Sequence, residues 1–234
     1  MNLVETIIDR LKKNGARLFL EEGEENITYN DLYKKLQSVS KLFRSLPSNI
    51  LILRCKKGQN MAIAILSGLY SGKQVVPVNR LLREEQVKSV AEQFNQYCYV
   101  TDEQIESISD AVPSDIYAPL ANPEPIILFT SGTTGKFKGV RLTQSGLLFN
   151  IKAIAKIVQY RHKDKMLISR SLSHVATLVG DLFVGIYSGI GFSFYDGEFS
   201  PSAIKKEIQA KRLTLWNGTP TCLFFCSSLR PELP

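Results

Sequence analysis

Residues Ile126 to Thr143 read IILFTSGTTGKFKGVRLT, and this stretch decides the fold. The run Ile126-Ile127-Leu128-Phe129 is short, uncharged and bulky, which suits a buried strand. It stops at Thr130-Ser131-Gly132-Thr133-Thr134-Gly135, a stretch of glycine and hydroxyl residues that suits neither a strand nor a helix interior. Lys136 and Lys138 follow, then Gly139. After Gly139 the pattern turns apolar again, and Val140-Arg141-Leu142-Thr143 reads as a second strand with Thr143 a natural N-cap for the helix beyond. Glycine lets successive backbone N–H groups crowd together and point one way, forming a concavity for anions. Thr130, Ser131, Thr133 and Thr134 add hydroxyl donors. Lys136 and Lys138 add mobile positive charge, which suits phosphate. This composition serves best to hold a phosphate chain, and it equally fits a solvated hairpin loop. Two common phosphate patterns are excluded. Gly135-Lys136 is followed by Phe137 rather than the hydroxyl residue of a Walker A loop, and no G-x-G-x-x-G is present in the stretch.

Outside this stretch the composition is that of an ordinary globular chain, with 234 residues of which 44% are hydrophobic and 22% charged. The formal net charge of +7 is scattered in pairs such as Lys12-Lys13, Lys56-Lys57 and Lys205-Lys206. No basic run is interleaved with aromatics, so nucleic acid is not an expected partner. A modest positive excess keeps the chain soluble and would attract a nucleotide, coenzyme A or an acidic carrier protein. Cys55, Cys98, Cys222 and Cys226 lack metal-type spacing and read as reduced, mostly buried thiols. Glu5 and Asp9 interrupt the apolar positions of the N-terminus, which excludes a signal peptide. The longest charge-free glycine-broken stretch, near Leu182 to Tyr195, is too short to span a bilayer. A cytoplasmic location follows as the expectation.

The rest of the chain alternates strand and helix signals. Val4, Ile7, Ile8 and Leu11 share a helical face, and Arg17 to Leu20 reads as a strand. Leu32, Leu36, Val39 and Leu42 mark a second helix, with Asn30 as its expected N-cap. Ile50 to Leu53 is a strand, Met61 to Tyr70 a buried helix closed by Gly72, and Val75 to Val78 a strand. Glu84 to Phe94 is helical and Tyr97 to Val100 extended. After the glycine stretch come a helix carrying Leu147, Ile151, Ile154 and Val158, and a strand at Met166 to Ser169. A buried helix and strand span Leu182 to Phe194. An amphipathic helix carries Ile204 and Ile208, with Lys205, Lys206, Glu207 and Lys211 on a solvated face. Leu213 to Trp216 is a strand, and a last helix runs from Cys222 to Leu229. Strands separated by helices of this length predict an α/β fold of layered parallel β-α-β units. Prolines between Pro113 and Pro125 mark a possible internal boundary or, preferably, a surface connection.

The segment TSGTTGKFKGV, Thr130 to Val140, resembles the phosphate-binding signature of the adenylate-forming, AMP-producing ligases, usually T-S-G-T-T-G-x-P-K-G-V. That superfamily includes acyl-CoA synthetases, luciferases and the adenylation domains of nonribosomal peptide synthesis. Phe137 departs from it by replacing the usual proline. Ile27-Thr28-Tyr29 with Asp31-Leu32, the stretch Leu69 to Val78, Ser171-Leu172-Ser173-His174 and Gly218-Thr219-Pro220-Thr221 are similar to further family segments in the same order. The resemblance covers essentially the whole chain, residues 1–234, as a partial large N-terminal domain. It implies a reaction of a carboxylic acid with ATP and Mg²⁺ to give an acyl-adenylate and pyrophosphate, then transfer to a thiol of coenzyme A or a carrier protein.

By the same resemblance, Thr130, Ser131, Gly132, Thr133, Thr134 and Gly135 would hold the β- and γ-phosphates. Lys138 would neutralise charge on departing pyrophosphate as the catalytic lysine of this stretch, with Lys136 a lesser contributor. His174 would lie near the acyl tunnel, or would have no task. Family members are longer, and the segment that holds adenine, the acidic metal contact and the C-terminal lid domain have no counterpart in these residues. The implied enzyme therefore needs that missing half for turnover, supplied by a complementing chain or a longer one, and exposed apolar surface would favour a partner or self-association. The alternative is a non-catalytic remnant that serves as an interaction module for a carrier protein or another ligase.

Overall fold

A computed structural model describes residues 1–22, 25–108, 123–131 and 137–228 of the chain. Leu3, Val4, Ile7 and Leu11 form the buried stripe of α1 (Leu3–Asn14), and Asn2 caps it through a reciprocal pair with Glu5. A hairpin follows, β1 (Leu18–Glu22) and β2 (Glu25–Thr28). Helix α2 (Tyr29–Ser45) begins two residues earlier than expected, because its cap is Thr28 and not Asn30. The Thr28 hydroxyl accepts the Asp31 N–H at 3.2 Å, and the Asp31 carboxylate accepts the Thr28 N–H at 3.1 Å. A reciprocal pair satisfies two free amides, where a lone asparagine would satisfy one.

The alternation then runs as read through β3 (Ile50–Leu53), α3 (Gly58–Tyr70), β4 (Gln74–Pro77), α4 (Glu84–Ala91) and β5 (Cys98–Val100), and a short helix that the sequence reading did not include, α5 (Asp102–Glu106), follows. Gly72, just past α3, has φ of 78°, the left-handed conformation in which glycine ends helices at little cost. Next come β6 (Ile126–Ser131), β7 (Phe137–Leu142), α6 (Gln144–Val158) capped by Thr143 as expected, and β8 (Lys165–Ile168). A π-helical stretch, Ala176–Phe183, continues directly into α7 (Val184–Ser188). The described chain closes with β9 (Gly191–Phe194), α8 (Pro201–Ala210), β10 (Leu215–Trp216) and α9 (Pro220–Ser228).

The strands make two five-stranded sheets, ordered β5-β3-β4-β6-β7 and β10-β8-β9-β1-β2. Each is parallel except for an antiparallel hairpin at one edge, β6–β7 in the first and β1–β2 in the second. Alternation along the strands explains the layering, since successive side chains point to opposite faces. In the first sheet Leu51, Leu53, Val75, Ile126 and Leu128 join the main core, while Ile52, Val76 and Ile127 face the other way with Val87's helix neighbours Val90 and Ala91 of α4. In the second sheet Met166, Ile168 and Phe192 face the main core, while Leu167 packs with Ile204 of α8. Helices α1, α2, α3, α6 and α7 fill the space between the sheets, giving a helix–sheet–helix–sheet–helix stack. Close approach inside it depends on Gly68 of α3, where an added Cβ would lie 2.3 Å from a Val75 methyl.

The expected boundary near 113–125 falls largely outside the described residues. Its end is anchored, since Pro125 O accepts the Val75 N–H at 2.9 Å and Pro123 O accepts the Gln144 N–H at 2.8 Å. Of the four thiols only Cys55 is fully buried; Cys98, Cys222 and Cys226 are half-buried, which corrects the expectation for those three. Lys211 also departs from the expected solvated face: it donates to Ser193 Oγ at 3.0 Å and pairs with Glu207. No helix among the described residues is long and apolar enough to cross a membrane.

Candidate functional site: a cleft at the strand ends

Six parallel strands deliver their carboxyl ends to the same side of the two sheets, the place where open α/β sheets bind ligands. A cleft of about 1080 Å³ lies there. It is lined by Lys56 and Lys57 after β3, Asn79 and Arg80 after β4, Arg170 and His174 after β8, and Asp196 after β9. The β6–β7 hairpin forms one wall through Leu128, Thr130, Val140 and Leu142. Direct pairing explains this wall: Leu128 is opposite Val140 and Thr130 is opposite Lys138. Paired residues on an antiparallel ladder share a face, so Lys138 stands on the cleft side of the hairpin beside Thr130.

The ladder extends further than the apolar pattern predicts. Strand β6 runs on to Ser131, and β7 begins at Phe137, which pairs with it. Lys138 is thus a strand residue rather than part of a loop. The reason lies in Phe137, whose ring joins Phe94 and Phe129 in the outer core cluster and whose carbonyl accepts Gln93 Nε2–H at 3.1 Å. The position at which the ligase signature carries proline is here an aromatic packing site. Thr130 and Lys138 are solvent-exposed. Gly132, Thr133, Thr134, Gly135 and Lys136 lie outside the described residues.

The cleft's charged groups are braced by groups from other elements. Arg80 donates to Asp196 Oδ1 at 3.1 Å and to the Gly197 carbonyl at 3.1 Å. Asp196 in turn accepts the Gly58 N–H at 2.9 and 3.1 Å, at the start of α3. Asp102 accepts the backbone N–H groups of Lys56 and Lys57 at 2.7 and 3.2 Å, and Lys57 pairs with Glu106 at 2.8 Å. Behind the floor, Asp181 of the π-helical stretch is buried, and it accepts Asn217 Nδ2–H at 2.8 Å. Arg170 approaches it at 3.6 Å. Burial pushes the Asp181 carboxyl up, and the Asn217 and Arg170 donors oppose this. His174 is exposed at the cleft wall, and its imidazole is held below the ordinary value first by partial desolvation of the ring and then by the Arg170 charge. It is therefore a neutral ring at neutral pH.

The sequence reading placed His174 near the acyl end and Thr130 and Lys138 at the phosphate end, and one cleft contains or adjoins all three. It missed Lys56, Arg80, Arg170, Asp181 and Asp196. Apart from Lys56, which stands in the Lys56-Lys57 pair, each is an isolated charged residue just past a strand or within an apolar helix. The position after a strand's carboxyl end was the available signal. Among the described residues no group of three or more His, Cys, Asp or Glu side chains could hold a metal ion.

The AMP-binding enzyme family model matches residues 9–232, and the chain belongs to that family. Bacitracin synthase 1 of Bacillus licheniformis is 25% identical over 238 residues, covering 98% of this chain and 4% of that protein. The 2-succinylbenzoate–CoA ligase of Bacillus cytotoxicus is 27% identical over 224 residues, covering 85% of this chain and 44% of that one. The chain spans less than half the length of these curated relatives. Its fold matches the o-succinylbenzoate CoA synthetase of Bacillus subtilis, solved with its acyl-adenylate intermediate, at a TM-score of 0.81 and 17% identity over 98% of this chain and 65% of that one. The N-terminal subdomain of Klebsiella oxytoca NpsA matches at a TM-score of 0.80 and 17% identity, covering 92% and 61%.

Proposed function

We propose that the chain provides the triphosphate and carboxylate ends of an adenylate-forming site. In the reaction a carboxylate oxygen attacks the α-phosphorus of ATP, the bond to the pyrophosphate oxygen breaks, and an acyl-adenylate forms. The acyl carbon then passes to a thiol of coenzyme A or a carrier protein, releasing AMP. The single observation that carries this reading is the register that puts Lys138 directly opposite Thr130 on the cleft-side face of the hairpin. An ammonium there sits where charge on departing pyrophosphate would build, and preorganised charge of this kind is usually the largest catalytic contribution. The backbone and hydroxyl donors of Ser131 to Thr134, with Gly135 and Lys136, would complete the phosphate grip.

The cleft volume is ample for a nucleotide beside an acyl group. Its lining carries four basic side chains against two carboxylates, a balance that favours anionic substrates. Mg²⁺ is usually held by one or two carboxylates together with substrate phosphates, so it would enter with ATP rather than rest in a cluster of protein ligands, of which the described residues have none.

Turnover belongs to the complete ligase, in which a further polypeptide segment supplies the remaining contacts. Supporting this, α9 has no separate polar face, and its Leu223, Phe224 and Phe225 are exposed. A helix of that composition is ordinarily buried. Phe149 and Ile157 of α6 are exposed as well, at 73% and 79%. The same surface favours a second reading, a module whose task is to bind a carrier protein or another ligase. Reduced thiols and the lack of a membrane-length helix among the described residues fit a cytoplasmic setting.

The test is ATP titration with wild type and Lys138→Ala, on this chain and on the chain joined to a complete ligase C-terminal half. The ligase reading expects weak binding to the chain, stronger binding to the joined protein, and a loss of about tenfold or more with the substitution. Unchanged nucleotide affinity in the joined Lys138→Ala protein would leave the module reading.

A further inference from the structure

A second cavity, of about 340 Å³, lies at the other end of the second sheet from the cleft. His162 on its rim precedes β8 and Ser188 precedes β9, so it sits at the amino ends of strands whose carboxyl ends reach the cleft. The two cavities share no lining residue. Three elements bring basic side chains to it: Arg10 from α1, Lys152 and Lys156 from α6, and His162 from the turn before β8. Lys152 and Lys156 are four residues apart and exposed on one face of their helix. Arg10 is half-buried, with its guanidinium carbon 4.0 Å from the centroid of the Tyr187 ring on α7. Stacking of this kind fixes the plane of a guanidinium without using its N–H donors. Arg17 donates to His162 Nδ1 at 2.7 Å, which sets a further positive charge beside the rim.

Among the described residues no carboxylate lines this cavity, and Arg10, Lys152 and Lys156 pair with none. By contrast Lys165 pairs with Glu21 and Lys211 with Glu207. The acids nearest in sequence are committed elsewhere. Asp9 pairs with Lys13 at 3.0 Å, and Asp164 accepts the Arg161 N–H at 2.7 Å and the Thr214 hydroxyl at 3.0 Å. Lys156, in the last turn of α6, complements the helix dipole, and a solvated face would tolerate Lys152. Neither reason accounts for Arg10, which another helix brings to the same cavity, nor for like charges four residues apart, which oppose each other.

Charge and size define what would bind. Three fixed positive charges without an acid call for a multivalent anion. A phosphate ester is close to a dianion at neutral pH and offers three acceptor oxygens, which match an arginine fork and two lysines better than a single carboxylate does. The volume admits a phosphate with a small organic body, at the lower end of ligand cavities, and excludes a folded partner. We propose that this cavity is a second anion site, which takes the phosphate ester of a small molecule with Arg10, Lys152 and Lys156 as its donors. The site stands apart from the adenylate-forming reading and does not depend on it.

The experiment follows backbone amides of the whole chain by NMR as phenyl phosphate, benzoate or hexaglutamate is added at about pH 7.5, where the phosphate is a dianion. Phenyl phosphate should shift the amides of Gln159, His162 and Ser188 at about millimolar concentration, and benzoate should need about fivefold more. Arg10→Gln combined with Lys156→Gln should weaken phenyl phosphate by about tenfold at these amides. Lys138→Ala, in the cleft, should leave them as they are. If Arg10→Gln does not fold, Lys152→Gln with Lys156→Gln, both exposed, decides in its place. Shifts confined to cleft residues, equal binding of benzoate, or affinity unchanged in the double variants would each overturn the proposal. Tighter binding of hexaglutamate at the same amides would overturn it in favour of an acidic polypeptide. Co-sedimentation with phosphatidate vesicles without a response to phenyl phosphate would overturn it in favour of a lipid headgroup.

Discussion

Arg80 and Asp196 join the two sheets at the mouth of the cleft, one following β4 and the other following β9, at 3.1 Å. Asp196 also caps the first turn of α3 through Gly58. Replacing Asp196 by alanine removes both an ion pair and a helix cap. The expected loss is about 1–2 kcal/mol, read by urea denaturation. A double-mutant cycle with Arg80→Ala should return a coupling of about 0.5–1 kcal/mol, because the pair is part-exposed. Additive effects would mean the two sides are held by other contacts.

Gly68 offers a sharper test of packing. Its Cα lies so close to β4 that an alanine methyl would meet Val75 at 2.3 Å, between buried residues of α3 and β4. Gly68→Ala should therefore destabilise by about 1–3 kcal/mol despite its better helix propensity. The pair Gly68→Ala with Val75→Ala should recover part of that loss in the same denaturation assay.

Phe137 is predicted to contribute through its ring. Truncation to alanine removes its packing against the outer cluster built on Ile52, Val76 and Ile127 and should cost about 1–2 kcal/mol, with Phe137→Leu costing less. Circular dichroism melts of the two variants would distinguish this from a role confined to the glycine stretch, which would leave the melting temperature unchanged.

Acidification should act through His174. Its folded value lies below the ordinary one of about 6.5, at which the unfolded chain takes up its proton. The unfolded state therefore binds more protons in the interval between the two values. Stability should be complete above about pH 6.5 and decline as pH falls toward the folded value. The Asp181 carboxyl, pushed up by burial, acts in the opposite sense at lower pH. NMR titration of the ring should give a midpoint below 6.5, and His174→Gln should flatten the denaturation midpoint between about pH 7.5 and 6. A midpoint above 6.5 would contradict the burial argument.

Local signals in the chain placed most helices and strands, though not β2, α5 or the helical stretch from Ala176, and they did not assign strands to sheets. Val4, Ile7 and Leu11 announce a helix by spacing alone, and Ile50 to Leu53 announces a strand. Nothing local tells Leu20 that its lateral neighbour is Phe192, or that β3 and β8 belong to different sheets. Such pairing is decided by which apolar faces meet in the stack. The Thr28 cap was readable from Thr-x-x-Asp, and Asn30 distracted from it. Within the site, the hydroxyl–glycine run was legible because composition alone marks it. Arg80, Asp196 and Arg170 were not, because a lone charge after a strand acquires meaning only when several strands end together.

The order of the second sheet carries a consequence for how the polypeptide reaches its native state. Strand β1 lies between β9 and β2, so it waits for a lateral neighbour made much later, near residue 192. The first sheet has no such dependence on late residues, since β3, β4 and β5 lie close together in the chain. Nearby contacts close quickly and distant ones slowly. The growing chain therefore completes one half of its stack while β1 and β2 remain an unflanked ribbon, vulnerable to capture by another nascent copy until β9 emerges.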